Sequence, residues 1–442
     1  MLTISLSLVF LVVLFLSGVP VAFSFALVVM IMAAILNYDL AFLLPYAFGQ
    51  MRSILLLAIP LYIIAGAIME KGNITRPLID FVNTFASRVK GGMGAAAAVA
   101  NGIFGAISGS AAAAVAAIGS IMIPQLADEE GYPRGYASSL LAASAGLSLL
   151  IPPSFSMILY GWITYTSITA CFLAGALPGV LLMIFFIIIN WFAVRRFPTV
   201  KRPRPIGSLR QFSKEVSSTG WRALPALLMP VLILGSIYGG IATPTEAAAI
   251  AAVYAIPIGF FVYRGLTAKN FGQALIESGM NIGAIMVMLL FAMVFSRMLV
   301  MEKVPQALSD VMLRISENRY VLLLVMNAFL FIVGMFVDDI SGMIITAPLL
   351  FPIAKELGVT PVHFSAIIVT NLTMGNLTPP MAPLTFLAQL IGKTTFAEML
   401  GPSLLFVFAG YVPVILVTTY WPPIAEWLPV AVLGPKVLIP AY

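Results

Sequence analysis

Ile151-Pro152-Pro153-Ser154 and Thr378-Pro379-Pro380-Met381 decide the fold, because each pair of prolines interrupts a long apolar segment. Proline has no amide hydrogen and its ring clashes with the carbonyl group of the preceding turn, so two prolines in a row break a helix. Each pair begins 21 residues after a glycine, at Gly131 and Gly358. A proline kink explains one such pair, whereas two pairs at matching positions favour an internal repeat.

The composition is that of a protein embedded in lipid. Of 442 residues, 61% are hydrophobic and 9% are charged, whereas a soluble domain carries about 25% charged residues. Uncharged stretches of about 20 residues can cross a hydrocarbon core. The apolar N-terminus lacks the basic region and cleavage site of a signal peptide, so we interpret it as two spans hinged at Gly18-Val19-Pro20. Ten spans are predicted, near 2–17, 20–37, 53–70, 135–165, 168–194, 224–241, 246–264, 279–300, 361–391 and 400–421.

Two further apolar stretches, 91–127 and 320–357, each contain a short polar tip. The tips are Ile107-Ser108-Gly109-Ser110 and Val337-Asp338-Asp339-Ile340-Ser341-Gly342. This pattern predicts re-entrant helical hairpins. Non-helical backbone at membrane depth is tolerated only where protein or water satisfies it, so the tips are expected at a buried site. We pair Ser108-Gly109 with Ser341-Gly342, which requires the second hairpin to be about five residues shorter after its tip.

The two halves align at an offset of 227–228 residues, for example Pro124 with Pro352 and Gly131 with Gly358. Five spans in each half is an odd number, so the second half enters the membrane upside down. Such an inverted-topology repeat is typical of secondary transporters. The predicted fold class is therefore an all-α polytopic membrane protein with an inverted-topology repeat, two re-entrant hairpins and two broken helices, as in elevator-type ion transporters.

The repeat divides the chain into five segments. They are a first scaffold part with a surface helix at 1–90, a first transport half with an inward-opening hairpin at 91–194, a basic cytoplasmic connection at 195–223, a second scaffold part with a surface helix at 224–319, and a second transport half with an outward-opening hairpin at 320–442. Surface helices are expected at 73–90, 203–222, 267–279 and 305–318. With both termini outside, the inner loops hold 16 of the 23 Lys and Arg residues, which agrees with the positive-inside rule.

The tips and breaks predict ion sites lined by oxygen atoms. A broken helix frees carbonyl groups near mid-membrane, and such carbonyls bind sodium, so one tip and one break make one site and the repeat makes two. Asp338 and Asp339 have no basic residue within ten positions. Intramembrane carboxylates usually mark ion pathways, although capping of the next helix is an alternative. We expect Gly109, Asp338 and Ser341 to bind sodium and Asp339 to matter less than Asp338. Glu246, which follows Thr243-Pro244-Thr245, is expected to cap a helix.

The same residues resemble the large membrane subunit (DctM type) of tripartite ATP-independent periplasmic (TRAP) transporters over nearly the whole chain. The segments that carry the resemblance are Ser17-Gly18-Val19-Pro20, Ser108-Gly109-Ser110, Ala117-Ile118-Gly119-Ser120, Ile123-Pro124, Gly131-Tyr132-Pro133-Arg134-Gly135-Tyr136-Ala137, Ile151-Pro152-Pro153-Ser154, Tyr160-Gly161 and Thr378-Pro379-Pro380. The resemblance implies sodium-driven import of a small organic anion, such as a C4-dicarboxylate, sialic acid or another carboxylate, across the bacterial inner membrane by an elevator mechanism. It also implies a periplasmic substrate-binding protein (DctP type) and a small membrane subunit (DctQ type), which we expect to be a separate chain.

The resemblance also implies sodium ligands at the tips and breaks, largely through backbone carbonyls. They are Ser108, Ser148 and Ile151 in the first half, and Gly334, Gly375, Thr378 and Met381 in the second. Substrate contacts are expected at Ser110, Pro153, Ser154 and Pro380. In one departure, four alanines follow Ser110 where relatives often carry Ser or Thr, which weakens the case for hydroxyl contacts there.

Other functions stay open at this stage. A self-sufficient sodium–carboxylate symporter would need no binding protein, and hairpins with an Asp at one tip could line a channel. A membrane-embedded enzyme is disfavoured, because the single histidine, His363, leaves almost no catalytic cluster. The single cysteine, Cys171, excludes an intramolecular disulfide, and both residues are expected to serve packing. No cofactor is expected besides sodium as the coupling ion, and lipids are expected rather than nucleic acid as the surroundings of the basic residues.

Overall fold

The computed structural model describes residues 2–201 and 208–439. Residues 202–207, which belong to the predicted connection at 195–223 and to the predicted surface helix at 203–222, lie outside the described residues, as do 440–442 at the end of the second transport half. The described residues are helical and contain no β-strand.

Twelve α-helices lie in the described part of the first half: α1 (Leu2–Leu16), α2 (Val21–Leu36), α3 (Leu40–Met51), α4 (Ala58–Lys71), α5 (Thr75–Ala86), α6 (Gly92–Ser108), α7 (Ala111–Ala114), α8 (Ser120–Pro124), α9 (Arg134–Ala145), α10 (Leu147–Leu150), α11 (Phe155–Thr164) and α12 (Ile168–Val194). Eleven lie in the described part of the second half: α13 (Leu209–Tyr238), α14 (Pro244–Pro257), α15 (Ala268–Met301), α16 (Val304–Ile315), α17 (Arg319–Phe336), α18 (Asp339–Glu356), α19 (Pro361–Gly375), α20 (Pro383–Gly392), α21 (Phe396–Phe406), α22 (Val412–Tyr420) and α23 (Pro423–Leu433). Short 3₁₀ turns lie at Ile54–Leu57 and Pro435–Leu438, and π turns at Val115–Gly119, Gln125–Glu129, Ile258–Val262 and Val407–Tyr411.

Nine helical stretches of the described chain are long and apolar enough to cross a membrane. Seven of them coincide with predicted spans, and the other two are hairpin arms, Ala111–Glu129 and Arg319–Phe336. The predicted spans at 2–17 and 20–37 are α1 and α2, which are apolar but only 15 and 16 residues long. The predicted span at 361–391 is divided into α19 and α20, because the Pro379-Pro380 pair interrupts it.

The predicted surface helices at 73–90 and 305–318 are separate helices, α5 and α16. The other two are not separate: α13 and α15 run without interruption from residues 209 and 268 into the following spans. Ser208 and Thr267 cap these long helices at their N-termini, since the side chains accept from the amides of Gln211 and Asn270. No proline stands between either cap and the start of its span, so nothing in the chain ends the helix there.

Three expectations about single residues are confirmed by side-chain contacts. Thr243 and Glu246 form a reciprocal capping box at the start of α14, with Thr243 N donating to Glu246 Oε2 at 2.7 Å. Cys171 is buried with a free thiol. His363 is buried, and its Nε2 atom lies 2.6 Å from the carbonyl oxygen of Thr418, so it packs inside the bundle.

The helices form two groups that meet along α15 and α4, since α15 packs on α18 and α4 packs on α6. In the first group, α4 packs on α14 and α15, and α15 also packs on α2 and α3. In the second group, the hairpin arms α6 and α17 pack on the broken helices α9 and α19, and α12 packs on α19 and α23. The second hairpin touches the first group where α18 packs on α15. The broken helices are therefore buried inside the second group.

The hairpin tips correct one detail of the predicted repeat. Tip 1 (Gly109–Ser110) joins α6 to α7, and tip 2 (Val337–Asp338) joins α17 to α18. Tip 2 lies 228 residues after tip 1, the same offset that relates Pro124 to Pro352, so the second hairpin is not shorter after its tip. Ser341 lies inside the first turn of α18, and its predicted pairing with Ser108 is wrong. The residue before the returning helix is polar in both halves: Ser110 caps α7 by accepting from the Ala113 amide, whereas the Asp338 side chain makes no capping hydrogen bond to α18.

Candidate ion and substrate site

In the first half, tip 1 lies directly against break 1 (Ile151–Ser154), and we name this contact junction 1. The amide of Phe155 donates to the carbonyl oxygen of Gly109 at 3.3 Å. Gly109 has φ +63°, and a Cβ atom there would lie 2.8 Å from the carbonyl oxygen of Pro153. Only glycine accepts this conformation at this close approach, so the Ser-Gly sequence of the tip is needed to bring it against the break.

In the second half, the end of α17 just before tip 2 lies against break 2 (Asn376–Ala382), and we name this contact junction 2. The amide of Met381 donates to the carbonyl oxygen of Met335 at 3.1 Å. At both ends this bond lies 226 residues after the bond from Phe155 to Gly109, which is one residue short of the offset between the breaks and two short of the offset between the tips. Met381 takes part through its backbone amide, and the expected sodium contact through its carbonyl group stays a prediction.

Both junctions depend on very close backbone packing beneath the tips. A Cβ atom on Gly375 would lie 2.3 Å from the carbonyl carbon of Gly334. A Cβ atom on Gly105 would lie 2.5 Å from the Cα atom of Ser148. Because the hairpin arm and the broken helix approach this closely, backbone carbonyl groups of the two elements are brought together without intervening side chains.

Buried amide side chains support each junction, and the sequence prediction missed them. In the first half, Asn101 Nδ2 donates to Ser144 Oγ at 2.7 Å. In the second half, Asn371 Nδ2 donates to Asn327 Oδ1 at 2.8 Å. Asn327 corresponds to Asn101 at an offset of 226 residues, and Asn371 to Ser144 at 227. Extending the sequence alignment from the breaks into the hairpin arms would have found these pairs.

Several buried oxygen atoms at the junctions have no hydrogen-bond partner among the described residues. They are Ser108 Oγ and Asn101 Oδ1 near junction 1, and Asn376 Oδ1 and Asn371 Oδ1 near junction 2. Buried polar atoms are normally paired, so each unpaired one calls for an explanation such as an ion or a water molecule. A sodium ion is bound by oxygen ligands. The unpaired side-chain oxygens and the carbonyl oxygens freed by the helix breaks are ligands of this kind.

Thr378 and Ser148 keep acceptor capacity beside the breaks. The Thr378 hydroxyl donates to the carbonyl oxygen of Met374 at 3.1 Å, and the Ser148 hydroxyl donates to the carbonyl oxygen of Asn101 at 3.4 Å. A hydroxyl that donates to a carbonyl still has lone pairs that can accept or bind a cation. Ile151, which corresponds to Thr378 at an offset of 227 residues, has no hydroxyl to offer.

The two carboxylates of the second hairpin have different neighbours. Asp338 precedes α18 and accepts a hydrogen bond from the Ser341 hydroxyl. Asp339 Oδ2 accepts from the Ser156 hydroxyl at 2.6 Å, so it links the second hairpin to α11 in the first half. Asp338 stands at the N-cap position of α18, but its side chain makes no capping hydrogen bond there, so the capping alternative is not borne out. Both carboxylates line one cavity, so the greater importance of Asp338 stays a prediction.

A cavity of about 520 Å³ lies between the two tips and the helices α4 and α15. From the tips and break 2 it is lined by Ser108, Ser110, Asp338, Asp339 and Asn376. From α4 and α15 it is lined by polar residues that the sequence prediction missed, Glu70, Glu277, Ser278 and Asn281. Residues of both halves thus face one space that is large enough for a small organic anion.

The remaining predicted site residues lie elsewhere around the junctions. Ser154 is buried and caps α11, since its hydroxyl accepts from the Met157 amide at 3.5 Å. Pro153 contributes its carbonyl group to the close approach of Gly109. Pro380 is exposed at break 2. Neither proline nor Ser154 lines the cavity between the tips.

Comparisons with known proteins agree on one family. Residues 8–424 match the family model described as "Tripartite ATP-independent periplasmic transporter, DctM component". The chain is 36% identical to the C4-dicarboxylate TRAP transporter large permease protein DctM of Pseudomonas aeruginosa, over 85% of this chain and 86% of that protein. It is 32% identical to the sialic acid TRAP transporter large permease protein SiaM of Vibrio cholerae, over 95% of this chain and 96% of that protein.

A third relative is longer. The chain is 35% identical to the isethionate TRAP transporter permease protein DctMQ of Oleidesulfovibrio alaskensis over 92% of its own length, but it spans only 63% of that protein. Among solved structures, the YdaH transporter of Alcanivorax borkumensis, which has an unusual topology, is similar with a TM-score of 0.64 and 14% identity, over 95% of this chain and 99% of that one. At this identity the likeness concerns the fold alone.

Proposed function

The chain belongs to the DctM family, the large membrane components of TRAP transporters, and from this premise we propose that it imports a small organic anion together with sodium ions. Members of the family are transporter permeases of the inner membrane and not enzymes. The observation that carries the sodium part of the proposal is the pair of junctions related by the repeat, each with unpaired buried oxygens beside a broken helix.

The proposed substrate site is the cavity between the tips. Ser110 and Asn376 offer polar groups from the second helix group, and Ser278 and Asn281 offer them from α15. Relatives are named for C4-dicarboxylates, sialic acid and isethionate, which share small size and negative charge. Because Asp338 and Asp339 would repel such an anion, bound sodium is needed to offset their charge. This gives a physical reason for coupling, since the anion binds well only after the cation.

The proposed movement is an elevator in which residues 91–194 and 320–442 slide against a scaffold formed by roughly 1–70 and 224–300. The cavity supports this division, because its walls come from both parts. A substrate held there would change sides when one wall moves relative to the other. On this proposal a periplasmic DctP-type protein delivers the substrate, and a DctQ-type subunit adds to the scaffold.

The proposed orientation has both termini in the periplasm, as the distribution of Lys and Arg indicates. Arg210 and Lys436 are both exposed and would lie on opposite sides of the membrane. A cysteine in place of Arg210 should resist an impermeant thiol reagent added outside cells, and one in place of Lys436 should react. Cys171 is buried and provides little background. The reverse labelling pattern would overturn the orientation.

The proposed function is tested by uptake into proteoliposomes. The purified chain should not transport alone, and uptake should require the small subunit, the loaded binding protein and an inward sodium gradient. Replacing sodium by potassium is the matched control and should abolish uptake. Robust uptake of free substrate by the chain alone would favour a self-sufficient symporter. Flux above carrier rates without a binding protein would favour a channel.

A further inference from the structure

A second polar crevice lies at the other end of α15 from Glu277. It has a volume of about 140 Å³ and is lined by Arg297 and Ser296 of α15, by Tyr46 and Gln50 of α3, and by Trp162 of α11. The carbon atom of the Arg297 guanidinium lies 5.0 Å from the centre of the Tyr46 ring. Arg297 is thus held in place by an aromatic ring within a helix that crosses the membrane.

Arg297 has no acidic partner among the described residues. The ion pairs in the described ranges join Lys71 to Glu277, Arg88 to Glu215, and Arg134 to Asp128. The Nε atom of Arg297 is buried and has no hydrogen-bond partner there either. An arginine inside a membrane span is costly and normally marks a functional pathway with a partner of opposite charge. An anion that binds in the crevice would supply the missing partner.

The crevice opens beside a larger cavity that can admit such an anion. This cavity has a volume of about 680 Å³ and shares Gln50, Trp162 and Tyr165 with the crevice. Arg52 adds a second positive charge to its lining, and no acidic residue lines either space. A guanidinium group binds a carboxylate or a sulfonate through paired hydrogen bonds, which a lysine ammonium cannot reproduce.

The position of Arg297 along α15 connects it to the substrate site. Asn281 lines the cavity between the tips, and Arg297 follows sixteen residues later on the same helix, which corresponds to about 24 Å. The opposite wall of the crevice is formed by Trp162 of α11 and Ile344 of α18, which belong to the proposed moving part. One helix of the scaffold thus presents Glu277 near one end and an unpaired arginine near the other.

We propose that Arg297 binds the anionic group of the substrate on the periplasmic side, when the transport part is displaced outward along α15. In that position the substrate meets the positive charge of Arg297 and is captured. After the inward movement it faces Glu70 and Glu277, with only Lys71 to offset them, and is released. The inference rests on the proposed function. It adds that Arg297 makes substrate affinity higher on the periplasmic side, where the substrate is captured, than on the cytoplasmic side, where it is released.

The test compares Arg297→Gln and Arg297→Lys with Lys303→Gln in the full complex. Lys303 is exposed just beyond the same end of α15 and controls for loss of one positive charge. Arg297→Gln should lower initial uptake about tenfold or more, as expected for losing a charge-assisted hydrogen-bond pair. Arg297→Lys should lower it less, and Lys303→Gln should leave it unchanged. The sodium concentration for half-maximal uptake should stay as in the wild type in all three.

A second readout separates capture from folding. Vesicles are preloaded with substrate so that it meets the cytoplasmic side of the transporter, and the rate of substrate release is measured. The substrate concentration that gives half-maximal release should be the same in Arg297→Gln and in wild type. Wild-type uptake in Arg297→Gln, or equal losses in Arg297→Gln and Lys303→Gln, would overturn the inference. If Arg297→Gln does not fold, unchanged uptake in Arg297→Lys overturns it instead. Failure of the proposed function is distinguishable, because the wild type itself would then show no sodium-driven anion uptake.

Discussion

Junctions 1 and 2 share a backbone arrangement but differ in charge. In each, one backbone hydrogen bond ties the hairpin to the broken helix: Phe155, just after break 1, donates to Gly109 of tip 1, and Met381, inside break 2, donates to Met335, just before tip 2. The residue that precedes the returning helix is Ser110 in the first half and Asp338 in the second. Both halves thus keep a backbone contact between the hairpin and the break, while the side chains have diverged to give one junction without carboxylates and one junction with two.

A second difference lies at the breaks themselves. Break 2 offers the hydroxyl of Thr378, whereas the equivalent residue in break 1 is Ile151. Break 1 has the hydroxyl of Ser148 next to the hairpin arm, whereas the equivalent residue in break 2 is Gly375. Each broken helix therefore has one hydroxyl beside its break, but at a different position, and junction 1 also contains the Ser108 hydroxyl of the hairpin arm. Substitutions that make one junction resemble the other test which differences matter.

The largest effect is expected where the backbones approach most closely. Gly375→Ala would place a methyl group 2.3 Å from the carbonyl carbon of Gly334, so the hairpin arm and broken helix must separate. Overpacking of this kind costs about 1–3 kcal/mol, and we expect a lower melting temperature and loss of uptake. Gly401→Ala is the control, because open space surrounds Gly401. Equal melting temperatures and uptake in the two variants would show that the close approach is not required.

The next effect concerns charge at tip 2. Asp338→Ser gives tip 2 the capping residue of tip 1 and removes a carboxylate from the cavity. A carboxylate near the cation stabilises it strongly in a low-dielectric site. We therefore expect the sodium concentration for half-maximal uptake to rise about tenfold or more, which corresponds to a loss of about 1.4 kcal/mol or more in sodium binding. Asp310→Ser removes an exposed carboxylate on α16 and is the matched control. If both variants kept the wild-type sodium dependence, Asp338 would have no part in sodium binding.

A smaller effect is expected at break 2. Thr378→Val keeps the side-chain shape but removes the hydroxyl, as in break 1, where the equivalent residue is Ile151. Loss of one buried polar partner costs roughly 1–2 kcal/mol, which corresponds to about a five- to thirtyfold weaker sodium affinity. Thr370→Val is the control, since the Thr370 hydroxyl also donates to a carbonyl of α19, at 2.6 Å from Ala366 O, but away from the break. Equal sodium midpoints in the two variants would exclude the Thr378 hydroxyl as a ligand.

The smallest effect is expected at junction 1. The Ser108 hydroxyl is buried without a partner in the described chain, so Ser108→Ala removes no protein hydrogen bond and should leave the melting temperature unchanged. If the hydroxyl binds sodium alongside carbonyl groups, the sodium midpoint should rise by about two- to fivefold, near the lower end of hydrogen-bond contributions. A lower melting temperature with an unchanged sodium midpoint would assign Ser108 a purely structural role.

Local chemistry made much of the fold predictable from the sequence. Proline pairs break helices wherever they occur, so Pro152-Pro153 and Pro379-Pro380 located both broken helices. The tips were located to within a few residues, but tip 2 was paired wrongly, because Ser341-Gly342 resembles Ser108-Gly109 in letters while the helix begins at Asp339. The continuity of α13 and α15 was missed because their basic or polar first turns suggested separate surface helices.

The walls of the site were less predictable than its tips. Asn281 and Glu70 face the tips only because α4 and α15 pack against the hairpins, and such contacts between distant segments leave no mark in one sequence. The same holds for the hydrogen bond from Ser156 to Asp339, which crosses between the halves. Asn101 and Asn327 are different, because their matching positions in the repeat are visible in the sequence.

The central claim is that both junctions bind sodium, and the sodium dependence of uptake tests it most directly. Initial uptake into proteoliposomes that contain the complete transporter would be measured across sodium concentrations for wild type, Ser108→Ala, Thr378→Val and the double variant. The account predicts a Hill slope above one in the wild type, a raised midpoint in each single variant, and near-additive free energies in the double variant, because the junctions are separate sites. A wild-type Hill slope near one, with an unchanged midpoint in both single variants, would contradict it.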